Sequence, residues 1–140
     1  MIFRFAHFSD HKSSWPWLPY FTPKEMADYE TGELVVVPDF MDWLVALRVV
    51  YDRKIIINDA TRSCERQKRK NGKETGAHPD GVAIDTKVYG KDAYDLIKLA
   101  MDRGVLGLGI HQTGPMESRF IHLDMWTSAP EGLRPRVWSY

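Results

Sequence analysis

Near the end of the chain, Phe120-Ile121-His122-Leu123-Asp124-Met125-Trp126 reads as a strand of unbroken alternation. A period of two places Ile121, Leu123 and Met125 on one face, and Phe120, His122, Asp124 and Trp126 on the other. Such a strand needs a sheet that turns one face onto an apolar core. Its reverse face must then accommodate an imidazole and a carboxylate. Gly81 to Val88 repeats the device, with Val82, Ile84, Thr86 and Val88 pointing one way and Ala83, Asp85 and Lys87 the other.

The other elements follow from spacing and end signals. Thr22-Pro23-Lys24-Glu25 starts a short helix, with Thr as cap, Pro at the first helical position and Glu three residues after the cap. From Asp39 to about Tyr51, Phe40, Trp43, Leu44, Leu47, Val50 and Tyr51 recur at helical spacing and predict an apolar stripe for the core. Lys54 to Asn58 reads as a buried strand, and Ser63 caps a helix over Glu65 to Lys70 that ends at Asn71-Gly72. A third long helix covers about Lys91 to Arg103, with Ala93, Leu96, Ile97, Ala100 and Met101 inward and Gly104 as its stop. Val105 to His111 is a strand thinned by Gly107 and Gly109. Helices and strands without strict βαβ alternation predict an α+β fold, a mainly antiparallel sheet with flanking helices.

With 140 residues and 44% hydrophobic content, the chain suits a single domain (1–140) with a real core. Residues 1–20 read as an irregular, ring-packed arm and residues 127–140 as a tail. The formal net charge of zero argues against a general nucleic-acid binder. No apolar run approaches the roughly 20 residues that span a bilayer, and the N-terminus does not read as a secretory signal, so cytoplasmic synthesis without membrane insertion is expected. Cys64 stands alone, which excludes an intrachain disulfide and a thiolate zinc knuckle. Any metal must be held by His and carboxylate.

His78 and Asp85 stand seven positions apart, and His122 lies on the later strand. Zinc accepts both ligand types at about 2.0–2.2 Å, and a catalytic site needs three of them plus an open position. Spacing and alternation bring the three within reach of one another without fixing that they meet. A surface carboxylate at Asp85 and a satisfied, half-buried histidine at His122 are the plainer readings.

His78-x-x-Gly81-x-Ala83-x-Asp85, followed by Phe120-Ile121-His122-Leu123-Asp124, resembles the zinc D-Ala-D-Ala carboxypeptidases and endopeptidases of the M15 peptidase family. The small bacterial and bacteriophage form, which shares its fold with the hedgehog signalling domain, looks most similar. Phe21 to Met26, Ile55 to Asn58 with Thr61-Arg62-Ser63, and Gly107 to Ile110 are similar to further family segments in matching order. The resemblance implies a hedgehog/DD-peptidase-like fold, Zn2+ held by His78, Asp85 and His122, and Arg62 polarising the scissile carbonyl or holding a substrate carboxylate. It implies a peptidase, acting as a monomer on peptidoglycan stem peptides or cross-links after release to the cell wall or as part of a phage particle.

Two positions depart from the family pattern. Gly76 stands where a Ser is usual, and Arg119 stands where many members carry the catalytic Glu. Glu117 is then expected as general base. Asp124 is the second candidate, or else orients a ligand imidazole; His111 and Trp126 are expected to line the substrate cleft. The basic run Arg66, Lys68, Arg69, Lys70 and Lys73 reads as a solvated helix face, or as a device that steers anionic wall polymers. Gly107-Leu108-Gly109 has the wrong spacing for a dinucleotide fingerprint. A hedgehog-like binding module with structural zinc, and a metal-free virion protein, remain as rival readings.

Overall fold

The computed structural model describes residues 1–11 and 14–140. Among these residues two sheets and four α-helices make a mixed α/β fold: β1 (Phe3–Phe5), α1 (Pro23–Met26), β2 (Leu34–Val36), α2 (Pro38–Tyr51), β3 (Ile57–Asp59), α3 (Cys64–Asn71), β4 (Ala83–Lys87), α4 (Gly90–Asp102), β5 (Gly107–His111), β6 (Phe120–Asp124) and β7 (Arg136–Ser139). β1 and β2 form an antiparallel pair, and the main sheet has the order β3-β4-β6-β5-β7. The first three pairings of that sheet are antiparallel, whereas β7 lies parallel to β5, so the sheet is mixed.

Local chemistry accounts for the helix ends. The Thr22 amide and hydroxyl both donate to Glu25 Oε2 at 2.8 and 2.9 Å, and Pro23 occupies the first turn of α1. Ser63 Oγ accepts from the Arg66 amide at 3.2 Å to open α3, and Gly72 closes it in the left-handed conformation. In α2 the buried residues are Phe40, Met41, Leu44, Leu47 and Tyr51; Val50, expected inward, is exposed. Met101 of α4 is likewise exposed, leaving Ala93, Leu96 and Ala100 as the buried stripe.

Leu34, Leu44, Leu47, Ile84, Leu96, Ile121 and Leu123 are fully buried and form the centre of the core. Each such side chain contributes roughly 1.5–3 kcal/mol by leaving water. Ile121 and Leu123 lie on the apolar face of β6 that the alternation predicts. The opposite face of β6 is also covered: His122 and Asp124 are as inaccessible as the core residues. Chain segments read as arm and tail account for part of this architecture. The arm supplies β1 and buries Trp15 and Trp17, whose indole N–H groups donate to Phe21 O (2.6 Å) and Asp42 Oδ1 (2.9 Å). The tail supplies β7.

The basic run is divided rather than solvated. Arg66 is buried, donating to Asp28 Oδ2 at 2.9 Å and to Asp59 at 2.6 and 3.1 Å, while Lys68 and Arg69 remain at the surface. Among the described residues no helix is long and apolar enough to cross a membrane.

Candidate metal centre

Antiparallel pairing of β4 with β6 sets Asp85 directly opposite His122. His78 arrives from the loop before β4, whose turn is closed by the Gly81 amide donating to the His78 carbonyl at 3.1 Å. One ligand-type atom from each of the three residues lies within 4.8 Å of the others.

Both imidazoles are held from behind. The 2.7 Å contact between His78 Nδ1 and the Ala60 carbonyl requires a proton on Nδ1, because a carbonyl only accepts; Nε2 then faces Asp85 Oδ1 at 3.4 Å. His122 Nε2 donates to Asp124 Oδ2 at 2.7 Å, which leaves Nδ1 facing the same Asp85 oxygen at 3.0 Å. In the neutral rings two nitrogen lone pairs therefore converge on a carboxylate oxygen. That arrangement is repulsive unless a positive charge stands among the three, and a divalent cation fits this donor set. Burial opposes charge on Asp85, but the His78 and His122 imidazoles outweigh it and hold the carboxyl far below its ordinary range. Burial likewise opposes an imidazolium at His122, yet the flanking Asp124 and Asp85 carboxylates raise its pKa.

Asp124 is fully buried and anchored on several sides. Arg134 donates to it from Nε at 3.0 Å and from Nη2 at 2.8 Å, and the Trp126 amide adds a bond of 3.2 Å. Burial raises its pKa, but His122 and Arg134 more than offset this and bring it to about 2. These contacts hold Asp124 against the outer nitrogen of the His122 ring.

Two glycines of β5 make this packing possible. A β-carbon on Gly107 would overlap the Asp124 carboxyl group, and one on Gly109 would lie 2.7 Å from the Trp138 indole, which packs against the His122 ring with centroids 5.0 Å apart. Gly107→Ala should therefore destabilise the protein by about 1–3 kcal/mol and weaken zinc binding by roughly 10- to 100-fold. Thermal denaturation and competition with a chromogenic chelator measure the two effects.

A cleft of about 700 Å³ is lined by His78, Asp85 and His122, with His111, Trp126 and Arg62 among its other walls. Arg62 is buried and braced: Nε and Nη2 donate to Asp59 Oδ2 at 3.1 and 2.7 Å, Nη1 donates to Gln67 Oε1 at 2.6 Å, and Nη2 lies 3.6 Å from Asp85 Oδ2. Gln67 also occupies the space that a side chain at position 76 would need, which accounts physically for Gly76. Trp126 donates from Nε1 to Asp80 Oδ2 at 2.8 Å.

Glu117 is not brought to this cleft. It sits exposed on a single 3-10 turn, Met116–Ser118, and borders a separate hollow beside Lys87 and Tyr89. That placement corrects the expectation of a base beside the ligands. The turn follows β5 and sits beyond the end of β4, so five residues of separation from His122 do not return the side chain to the site. Conversely, Arg134, Arg136, Trp138 and Tyr140 line the cleft and were read only as tail. The alternation of Arg136, Trp138 and Tyr140 with Val137 and Ser139 is the signal that would have marked the strand.

Three side chains that could together hold a metal ion, two of them fixed from outside, thus lie beneath an open cleft. The family model described as Peptidase M15 matches residues 19–124, and the chain belongs to that family. The family is generally zinc-dependent, and His78, Asp85 and His122 form a possible zinc site here. No curated protein and no solved structure matches the chain.

Proposed function

We propose that this chain is a zinc metallopeptidase that hydrolyses a peptide bond in bacterial peptidoglycan, as a DD-carboxypeptidase or as an endopeptidase on stem peptides or cross-links. A hedgehog/DD-peptidase-like fold and monomeric action on the cell wall, after release or from a phage particle, belong to the same reading. The convergence of His78, Asp85 and His122 in a peptidase-family chain is the observation that carries it. Those three residues would hold the ion, with the Ala60 carbonyl and Asp124 keeping the imidazoles in the required tautomers. When bound, zinc supplies Lewis acidity that polarises a carbonyl and acidifies water to near neutral pH.

The chain's own groups supply binding and orientation. Of the five N–H donors of Arg62, three are used by Asp59 and Gln67, leaving two that a scissile carbonyl or a substrate carboxylate can accept from. Lys70 and Lys73 border the same cleft as Arg134 and Arg136, and among the described residues lining it Asp85 is the sole one with a side-chain carboxylate. A peptide rich in carboxylates suits that charge balance.

Incubating purified peptidoglycan with the zinc-loaded protein and identifying the products by mass spectrometry tests the reading. Release of D-Ala or of shortened stem peptides is expected, and release must stop when zinc is chelated. The shortage of carboxylates in the cleft favours a second reading, a binding module in which zinc is structural. Retention of peptidoglycan by a zinc-loaded protein that releases no peptide would select it.

A further inference from the structure

Peptide hydrolysis needs a group that takes a proton from water, and the carboxylates expected to do so do not face the cleft. Glu117 borders a different hollow, Asp124 is enclosed by His122, Arg134 and the Trp126 amide, and Asp85 is committed as a ligand. The remaining titratable side chains that line the cleft are permanent or near-permanent cations, the Tyr140 phenol, and His111. Burial pushes the Tyr140 phenol above its ordinary pKa, so at neutral pH it is a donor. Among the described residues lining the cleft, His111 alone offers an imidazole outside the three candidate ligands, and imidazole is a proton-transfer group.

Its position is suitable. His111 ends β5 directly opposite Phe120 of β6, and Gly109 of the same strand stands opposite His122. The imidazole is thus a diagonal neighbour of a candidate ligand on one sheet face, at a backbone separation of about 7–8 Å, and both side chains line the same cleft. The ring is fixed by stacking instead of hydrogen bonding: its centroid lies 5.0 Å from that of Phe120 at an interplanar angle of 6°, and 6.0 Å from that of Tyr140. Nδ1 is buried and has no hydrogen-bond partner among the described residues. His78 and His122 each use an outer nitrogen on a structural partner; His111 does not.

We propose that His111 is the general base of this peptidase, an assignment that rests on the peptidase reading above. A nitrogen of its imidazole takes a proton from water as the water oxygen bonds to the scissile carbonyl carbon. As the C–N bond breaks, the imidazolium returns that proton to the leaving amine, so that amide and water give acid and amine. The Tyr140 ring packs beside that of His111, and its hydroxyl can donate to the oxygen that gains charge.

The test compares wild type with His111→Gln and His111→Ala, all zinc-loaded, on a peptidoglycan stem peptide, together with calorimetric zinc titration of each metal-free protein. The expected result is a 10²- to 10⁴-fold fall in kcat, KM and zinc affinity within about threefold of wild type, and partial recovery of His111→Ala by added imidazole. A His111→Gln protein that keeps at least a third of wild-type kcat overturns the assignment alone. So does a loss of zinc affinity that matches the loss of turnover, since the residue is then structural. A wild type that binds zinc and the peptide but turns over nothing overturns the peptidase reading, and this assignment with it.

Discussion

Asp85→Ala is expected to abolish stoichiometric zinc binding and, with it, peptidase activity. The loss should exceed the roughly 10- to 100-fold drop in affinity that follows removal of an outer partner of a metal ligand. Asp85 is the only anionic donor of the three and the one whose oxygen both ring nitrogens face. The metal-free variant should nevertheless fold, because Arg62 retains Asp59 and Gln67 when Asp85 is removed. Chelator competition reads the affinity. Differential scanning fluorimetry with and without zinc reads the rest: wild type should gain stability on addition of the metal, and the variant should not. A variant that still binds zinc one-to-one with wild-type affinity would place the metal elsewhere.

Asp59→Ala is expected to be the most destabilising single change in the molecule. The Asp59 carboxylate lies between two buried guanidiniums, receiving bonds of 2.7 and 3.1 Å from Arg62 and of 2.6 and 3.1 Å from Arg66. Burial raises its pKa, but the two arginines and the nearby His78 more than offset this and lower it. Removing it leaves Arg62 without its carboxylate anchor and Arg66 with Asp28 and the Thr61 carbonyl, at a cost of about 3–5 kcal/mol. That is a large share of the roughly 5–15 kcal/mol that keeps a domain folded. The exposed pair of Arg69 with Glu30 supplies the control, since Glu30→Ala should cost less than about 1 kcal/mol. Urea titration of the three proteins decides the matter; equal midpoints for Asp59→Ala and Glu30→Ala would refute the argument.

The same cluster sets an acid limit. Burial raises the pKa of Asp28, but the Ser63 amide, Arg66 and the Glu30 and Thr31 amides bring it down to about 2. Its folded pKa is below the unfolded value near 3.9. Its contribution is therefore complete above about pH 4 and is lost as pH falls towards 2. One pKa unit corresponds to about 1.4 kcal/mol, so a contribution of about 1–2 kcal/mol is the appropriate scale.

Short-range signals made much of this molecule legible. Alternation in Phe120–Trp126 placed Ile121 and Leu123 in the core and His122 on the reverse face, and spacing found α2, α3 and α4 to within a few residues. The reach of such signals is the reach of a period or a cap. They do not report which segments pair at a distance, and so β7 against β5 and β1 against β2 stayed hidden in stretches read as tail and arm. The ionic cluster was hidden for a related reason. Asp28, Asp59 and Arg66 look like surface residues one at a time, and burial becomes tolerable only because the fold brings them together. Glu117 marks the opposite error: proximity along the chain to His122 did not survive the intervening turn.

The hydrogen bonds behind His78 and His122 bear on the time course of assembly. Ala60 O and Asp124 fix both rings, and Arg62 braces Asp85, through contacts that involve no ion. The conformational entropy of gathering three donors is therefore lost when the chain folds, not when the metal arrives. In small zinc-nucleated domains the two events coincide, and the apo chain is disordered. Here an apolar core of separate origin carries the fold, so the metal-free protein should be a receptacle of nearly final shape. Ion capture and folding become separable steps, and a metal withdrawn by a chelator could be returned without refolding the chain.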